Sequence, residues 1–302
     1  MRSRSLQSHS GLAGGWLLPS SPLPLPLDEA QRIGHVAFVA LIDELLTWPK
    51  PGLVSHVDSG SHDDMDCSTF HASAVALRPF FVRLASAGAT MATMEDLRAI
   101  GIEAEHAMLV ATGGVNTHRG AIFALGLLCA AAAALKSRSR AHESPTAASI
   151  AGYVAWRWGN AIVRGPIPLH SHGSAALRRF GAGGARAQAA AGFPHVVEIG
   201  LPALRRARTI AQGEEAARVE TFFSLLAAVE DTNLLHRGGA EGLDYAREVA
   251  RQFLETGGVG TEGWEARALE IHLDFVGRRL SPGGCADLLA ATILLDRLTG
   301  GL

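Results

Sequence analysis

The stretch Ala104-Glu105-His106-Ala107-Met108-Leu109-Val110-Ala111-Thr112-Gly113-Gly114-Val115-Asn116-Thr117-His118-Arg119-Gly120-Ala121-Ile122-Phe123 decides how this chain folds. It holds a helix carrying a carboxylate, a glycine turn, and a second helix opening on Asn116, Thr117, His118 and Arg119. Glycines let the backbone turn and let N–H groups approach a ligand closely. A helix start carries unpaired N–H groups and the positive end of the helix dipole, so it attracts anions. The letters therefore predict a polar, anion-accepting site beside Glu105.

The same pattern extends in both directions. Upstream, helical apolar spacing predicts helices over 28–47, 68–87 (with a bend near Pro79) and 94–111; Trp48-Pro49-Lys50-Pro51-Gly52 ends the first. Downstream, helices are predicted over 117–136, 146–163, 196–212, 214–229, 242–256, 262–279 and 284–298. Residues 164–194, rich in Gly, Pro and His, read as a long excursion holding a short helix. No alternating strand pattern of useful length and no repeat is present. The expectation is an all-α fold: a single compact multi-helix domain of roughly ten helices over 28–302. Residues 1–27 read as a disordered or loosely docked leader, with an apolar run too broken for a signal peptide. The apolar run 121–135 is too short to span a membrane and reads as a buried core helix.

Composition narrows the function. The chain has 302 residues, 48% of them hydrophobic and only 6% aromatic, so its apolar mass is largely Ala, Leu and Val, a mix that favours helix. A net charge of -2 argues against a broad nucleic-acid footprint. Cys67, Cys129 and Cys285 lie far apart, which fits a reduced, cytoplasmic protein. No membrane segment is expected, and the large apolar helices suggest a homodimer.

Several segments carry candidate chemistry. The loop 52–66 holds Asp58, Asp63, Asp64 and Asp66. Hard cations such as Mg²⁺ take oxygen ligands, and a nucleotide triphosphate needs one. An ordinary solvated acidic loop, with Asp66 or Ser68 capping the next helix, accounts for the same letters. Glu105 reads either as an exposed helix carboxylate or as a general acid or base. His118 is a helix-start residue bonded to a neighbour, or a site residue. Lys50, held between two prolines, is a phosphate contact or a surface lysine. In Glu230-Asp231-Thr232-Asn233-Leu234-Leu235-His236-Arg237-Gly238-Gly239, a helix C-cap would explain the glycines but not Asp231, Asn233 and Arg237 together. Asp287, in the first turn after Ser281-Pro282, reads as a carboxylate that complements the helix dipole. The match to GxGxxG at 258–263 follows a helix, not a strand, and is dismissed.

Taken in order, Pro49-Lys50-Pro51-Gly52-Leu53-Val54, Gly60-Ser61-His62-Asp63-Asp64-Met65-Asp66, Phe70, Ala104-Glu105, Thr112-Gly113-Gly114-Val115-Asn116-Thr117-His118-Arg119-Gly120, Asp231-Thr232-Asn233, Ser281-Pro282-Gly283-Gly284 and Ala286-Asp287-Leu288-Leu289-Ala290 resemble the triphosphoribosyl-dephospho-CoA synthase family. The resemblance covers about residues 28–300, and its details lean toward the malonate decarboxylase version over the citrate lyase one. Arg119 is a departure, because the family often has lysine there. The resemblance implies transfer of the triphosphoribosyl group of ATP to 3′-dephospho-CoA, with release of adenine. The product is 2′-(5″-triphosphoribosyl)-3′-dephospho-CoA, which an acyl-carrier-protein transferase would receive. It implies ATP as co-substrate and Mg²⁺ on the triphosphate, held by Asp58, Asp64 and Asp231. Lys50, Asn116, Thr117, Arg119, Asn233 and Arg237 would bind substrate. Glu105 would be the base or stabilise the oxocarbenium, with Glu44 and Asp66 as rivals; His62 or His118 would protonate adenine. A Mg-dependent helical nucleotide hydrolase and a non-catalytic helical scaffold are the competing readings.

Overall fold

The computed structural model describes residues 27–138, 144–166, 179, 182–211 and 213–300. Of the leader expected over 1–27, all but Leu27 lies outside the described residues, as do 167–178 and 180–181 of the excursion 164–194. Among those described there are eleven α-helices and no strand, so the all-α expectation holds. They are α1 (Leu27–Leu45), α2 (Cys67–Ala89), α3 (Met94–Ala111), α4 (Arg119–Lys136), α5 (Ala147–Arg164), α6 (Gly184–Ala190), α7 (Leu201–Ile210), α8 (Glu214–Ala228), α9 (Thr232–Glu255), α10 (Trp264–Gly277) and α11 (Gly283–Leu298).

The core is built around α4. Ala121, Ile122, Ala124, Leu125 and every residue from Gly126 to Ala134 are buried on it, so it is apolar all round. It meets α1, α2, α3, α5 and α11. Small residues set the spacing: a Cβ on Gly88 of α2 would lie 2.1 Å from the Ala130 carbonyl oxygen, so only glycine allows that crossing. Arg119–Lys136 is long and apolar enough to cross a membrane, but its burial is that of a core helix.

Two local departures from the sequence expectation have visible causes, and the dismissed glycine motif has a plain structure. The run expected as one helix over 196–212 begins as a π-helical turn, His195–Gly200, and becomes α-helical only at α7, where Pro202 sits in the first turn. The polar cluster 230–239 does not cap a preceding helix; it opens α9, capped by Asp231, and Gly239 breaks the helix from within at φ 64, ψ -161. The GxGxxG match is a 3-10 turn, Gly258–Gly260, whose Val259 N–H donates to Glu220 Oε2 at 3.1 Å.

The turn at the centre of the opening stretch is a helix C-terminus. Gly113 and Gly114 have φ of 66 and 96, and the Gly114 N–H returns to the Leu109 carbonyl at 2.7 Å, the pattern of a Schellman-type ending. That turn brings the end of α3 and the start of α4 side by side, with the starts of α9 and α11 and the loop 46–66 around them.

Candidate active site

The loop after α1 folds back on the helix that precedes it. Lys50 is buried at 1% exposure; its ammonium donates to the Glu44 carbonyl oxygen at 2.6 Å and pairs with the Glu44 carboxylate. Burial draws the Lys50 pKa below its ordinary value, against the opposing pull of Glu44. Gly52 is required where this loop meets the segment before α11: its φ is +68, and a Cβ there would lie 2.0 Å from the Leu280 carbonyl oxygen. Ser61 Oγ donates to that same oxygen at 2.6 Å.

His272 of α10 ties the loop from below. Its Nδ1 donates to the Lys50 carbonyl oxygen at 2.9 Å, and its Nε2 lies 3.1 Å from Asp58 Oδ2. Asp58 also accepts the Gly60 N–H at 2.9 Å. On the rim, His62 Nε2 is 2.9 Å from Ser281 Oγ, and Arg237 reaches His62 at 3.2 Å and the carbonyl oxygens of Ser61 and Arg279, each at 3.2 Å. Burial, and then the Arg237 charge, push the His62 pKa down. Asp64, with 62% of its side chain exposed, stands 3.5 Å from His62.

At the start of α4, His118 is buried. Its Nδ1 is 2.7 Å from Ser73 Oγ, which accepts the Thr117 hydroxyl proton at 2.8 Å. Its other ring nitrogen, Nε2, is buried without a partner. Burial, helped by the nearby Lys50 charge, lowers the His118 pKa to about 3, so the ring is neutral near pH 7. It offers one free hydrogen-bonding ring nitrogen and no imidazolium proton. Next to it, Arg119 pairs with Glu105 of α3, and both remain partly exposed. Asn116 Oδ1 accepts the Arg119 N–H at 3.2 Å.

The remaining residues named from the sequence have defined positions. Asp66 is the N-cap of α2, accepting from Thr69 N–H at 2.9 Å and from the Ser68 and Thr69 hydroxyls; these bonds hold its pKa at about 2. Asp231 is buried: Oδ1 accepts the N–H groups of Asn233 at 2.8 Å and Leu234 at 3.2 Å, and Oδ2 accepts that of Cys285 at 2.8 Å. It joins α9 to α11. Asn233 lies against the α11 start, where a Cβ on Gly283 would be 2.7 Å from Asn233 Nδ2. Asp58, Asp64 and Asp231 therefore face three different sets of partners, and no group of three or more His, Cys, Asp or Glu among the described residues is arranged to hold a metal ion. As a set they do not fit a preassembled metal site.

Asp287, partly buried on α11, accepts the Ala121 N–H at the start of α4. Its Oδ2 lies where a Gly120 Cβ would come within 1.9 Å, so the contact demands glycine. Burial, then the charges of Glu44 and Asp231, push its pKa well above the usual carboxylate range.

A family model described as ATP:dephospho-CoA triphosphoribosyl transferase matches residues 30–302. The chain belongs to this family. It is accordingly a transferase that uses ATP. Among its curated relatives, a protein of Pseudomonas fluorescens (strain Pf-5) is 42% identical over 281 residues, covering 90% of this chain and 93% of the relative. One of Stutzerimonas stutzeri is 41% identical, covering 89% and 92%, and one of Azotobacter vinelandii is 41% identical, covering 89% and 92%. Each is named a probable 2-(5″-triphosphoribosyl)-3′-dephosphocoenzyme-A synthase. No solved structure matches the chain.

For this triphosphoribosyl transferase family member, the segments quoted for the resemblance converge at one end of the bundle. The sequence reading undervalued Asp287 and missed His272 and Ser73. Asp287 stood within the quoted Ala286-Asp287-Leu288 segment; His272 and Ser73 carried no local signal, since their partners are 222 and 45 residues away in sequence.

Proposed function

We propose that the chain transfers the triphosphoribosyl group of ATP to the 2′-hydroxyl of 3′-dephospho-CoA, releasing adenine. The observation that carries this is the family match over residues 30–302, together with the gathering of the shared segments around the α4 start. The product linkage expected for the family is α while ATP is β, so a single inverting displacement at the ribose anomeric carbon is the natural course. Inverting transfer uses one group to take the hydroxyl proton and another to assist the leaving group. Glu105, partly exposed and paired with Arg119, would be the base. The free Nε2 of His118 would hydrogen-bond substrate. Lys50 acts from within, holding Glu44 and the loop, because its ammonium is already engaged.

The triphosphate would lie against Arg237 and Arg279 on the rim. Mg²⁺ is usually bound through one or two protein carboxylates plus phosphates and waters. We propose that it arrives on ATP and that Asp64, the most exposed member of the predicted trio, is the carboxylate near it. No binding of Mn²⁺, as a Mg²⁺ surrogate, is then expected in titrations without nucleotide. The malonate decarboxylase carrier as destination, a partner acyl-carrier-protein transferase, a cytoplasmic location and a homodimer belong to the same proposal. Light scattering tests the dimer, and loading of each carrier protein with the product tests the destination.

The deciding experiment follows adenine in a reaction with ATP, Mg²⁺ and 3′-dephospho-CoA. Acceptor-dependent adenine release is expected. ADP or phosphate without adenine would replace transfer by nucleotide hydrolysis, and no nucleotide binding at all would leave a scaffold.

A further inference from the structure

The transfer reaction needs a proton for its leaving group, since adenine departs poorly as an anion. Three observations bear on its source. First, His62 and His118, the two histidines the family resemblance offers as proton donors, are both driven toward their neutral forms by burial and by nearby cations. Second, of the three carboxylates that face one another here, two are committed. Glu44 is locked to Lys50, and Asp231 spends its oxygens on three backbone N–H groups. Third, Asp287 retains some exposure and sits directly over Gly120 at the α4 start. It is therefore adjacent in space to Arg119, which orients Glu105.

We propose that Asp287 is the catalytic acid that delivers a proton to a ring nitrogen of adenine as the N-glycosidic bond of ATP breaks. The assignment rests on the transfer reading above. In the step, the bond from the anomeric carbon to N9 breaks and its electron pair passes to adenine. The bond from the 2′-oxygen of dephospho-CoA to that carbon forms. The acceptor's hydroxyl proton goes to Glu105, the proton of Asp287 goes to adenine, and the two carboxyls reset through solvent. Groups facing Asp287 explain how it holds a proton: Glu44 from α1 and Asp231 from the α9 cap oppose its ionisation, and the Ala121 N–H of α4 opposes them only in part.

The test compares Asp287→Asn with wild type on two substrates, ATP and N7-methyl-ATP, whose base already carries positive charge and leaves without protonation. With ATP, the variant should lose on the order of 100-fold or more in kcat with little change in KM. With N7-methyl-ATP the loss should shrink to a few-fold. An equal loss on both substrates, or no loss on ATP, would overturn the assignment. Should Asp287→Asn not fold, judged by its thermal unfolding, Asp287→Glu is measured in its place, and it must show the same substrate-dependent loss. Wild-type enzyme releasing no adenine with dephospho-CoA would instead remove the transfer reading, and the acid role with it.

Discussion

Lys50→Met tests the internal framework of the site. The substitution keeps most of the buried apolar stem and deletes the ammonium, leaving the Glu44 carboxylate without its counter-charge and the Glu44 carbonyl without a donor. Both side chains are almost fully enclosed, at 1% and 6% exposure, so water offers little screening. Removing one partner of a buried pair costs about 3–5 kcal/mol. At roughly 2–4 °C per kcal/mol for a chain of this size, melting should fall by about 6–20 °C. Glu44→Gln should cost less, because the buried lysine already has a lowered pKa and can shed its proton; that cost should shrink as pH rises toward the ordinary lysine value of 10.5. The double variant Glu44→Gln/Lys50→Met should recover part of the loss, giving a coupling of about 1–3 kcal/mol. Urea unfolding of the four proteins measures the cycle. A Lys50→Met cost below about 1 kcal/mol, or strict additivity, would refute the buried pair as the anchor of this loop.

Three further outcomes follow from the geometry. His118 has a folded pKa near 3 against an ordinary 6.5, so between those values the unfolded chain binds a proton that the folded one refuses; its contribution to stability is present above 6.5 and is lost as pH falls toward 3. His118→Asn should flatten that part of the stability–pH curve, and an unchanged slope in urea unfolding would count against the buried neutral ring. Gly52→Ala forces a side chain onto the Leu280 carbonyl at a positive φ and should lower stability by more than about 1 kcal/mol while exposing the loop to proteolysis; protease resistance equal to wild type would contradict the docking. Asp231→Ala strips three N–H groups of their acceptor, and a cost of about 2–4 kcal/mol in chemical unfolding is expected; a near-neutral effect would deny that this carboxylate joins α9 to α11.

The all-helical architecture was legible because the apolar spacing in long segments such as 28–47 and 94–111 repeats at the helical period, and the Thr112-Gly113-Gly114 turn carries its own stop signal. The break at Gly239 was misplaced because glycine marks both a helix end and an internal interruption, and only Asp231, capping from the preceding position, shows which applies. The π-helical turn at His195–Gly200 had no marker beyond Pro202 just after it. Within the site, Glu44, Lys50, Glu105, Arg119 and His118 were identifiable as chemistry-bearing residues in distinctive segments. Their pairing was not, because Lys50 could as well have faced solvent. The aspartates divided for a simple reason: a carboxylate at a helix start and one at a metal look alike in sequence. Asp66 and Asp231 proved to be caps, whereas Asp287, expected only to complement a dipole, stands over a neighbouring helix start.

The central claim is that the glycosidic bond of ATP is cut and its triphosphoribosyl part kept. ATP carrying radiocarbon in the adenine ring and radiophosphorus at the γ-phosphate separates the two fates in one reaction with 3′-dephospho-CoA. The account predicts radiocarbon in free adenine and radiophosphorus in the dephospho-CoA adduct, in equal amounts. Radiophosphorus released as inorganic phosphate, with radiocarbon remaining in ADP, would contradict it.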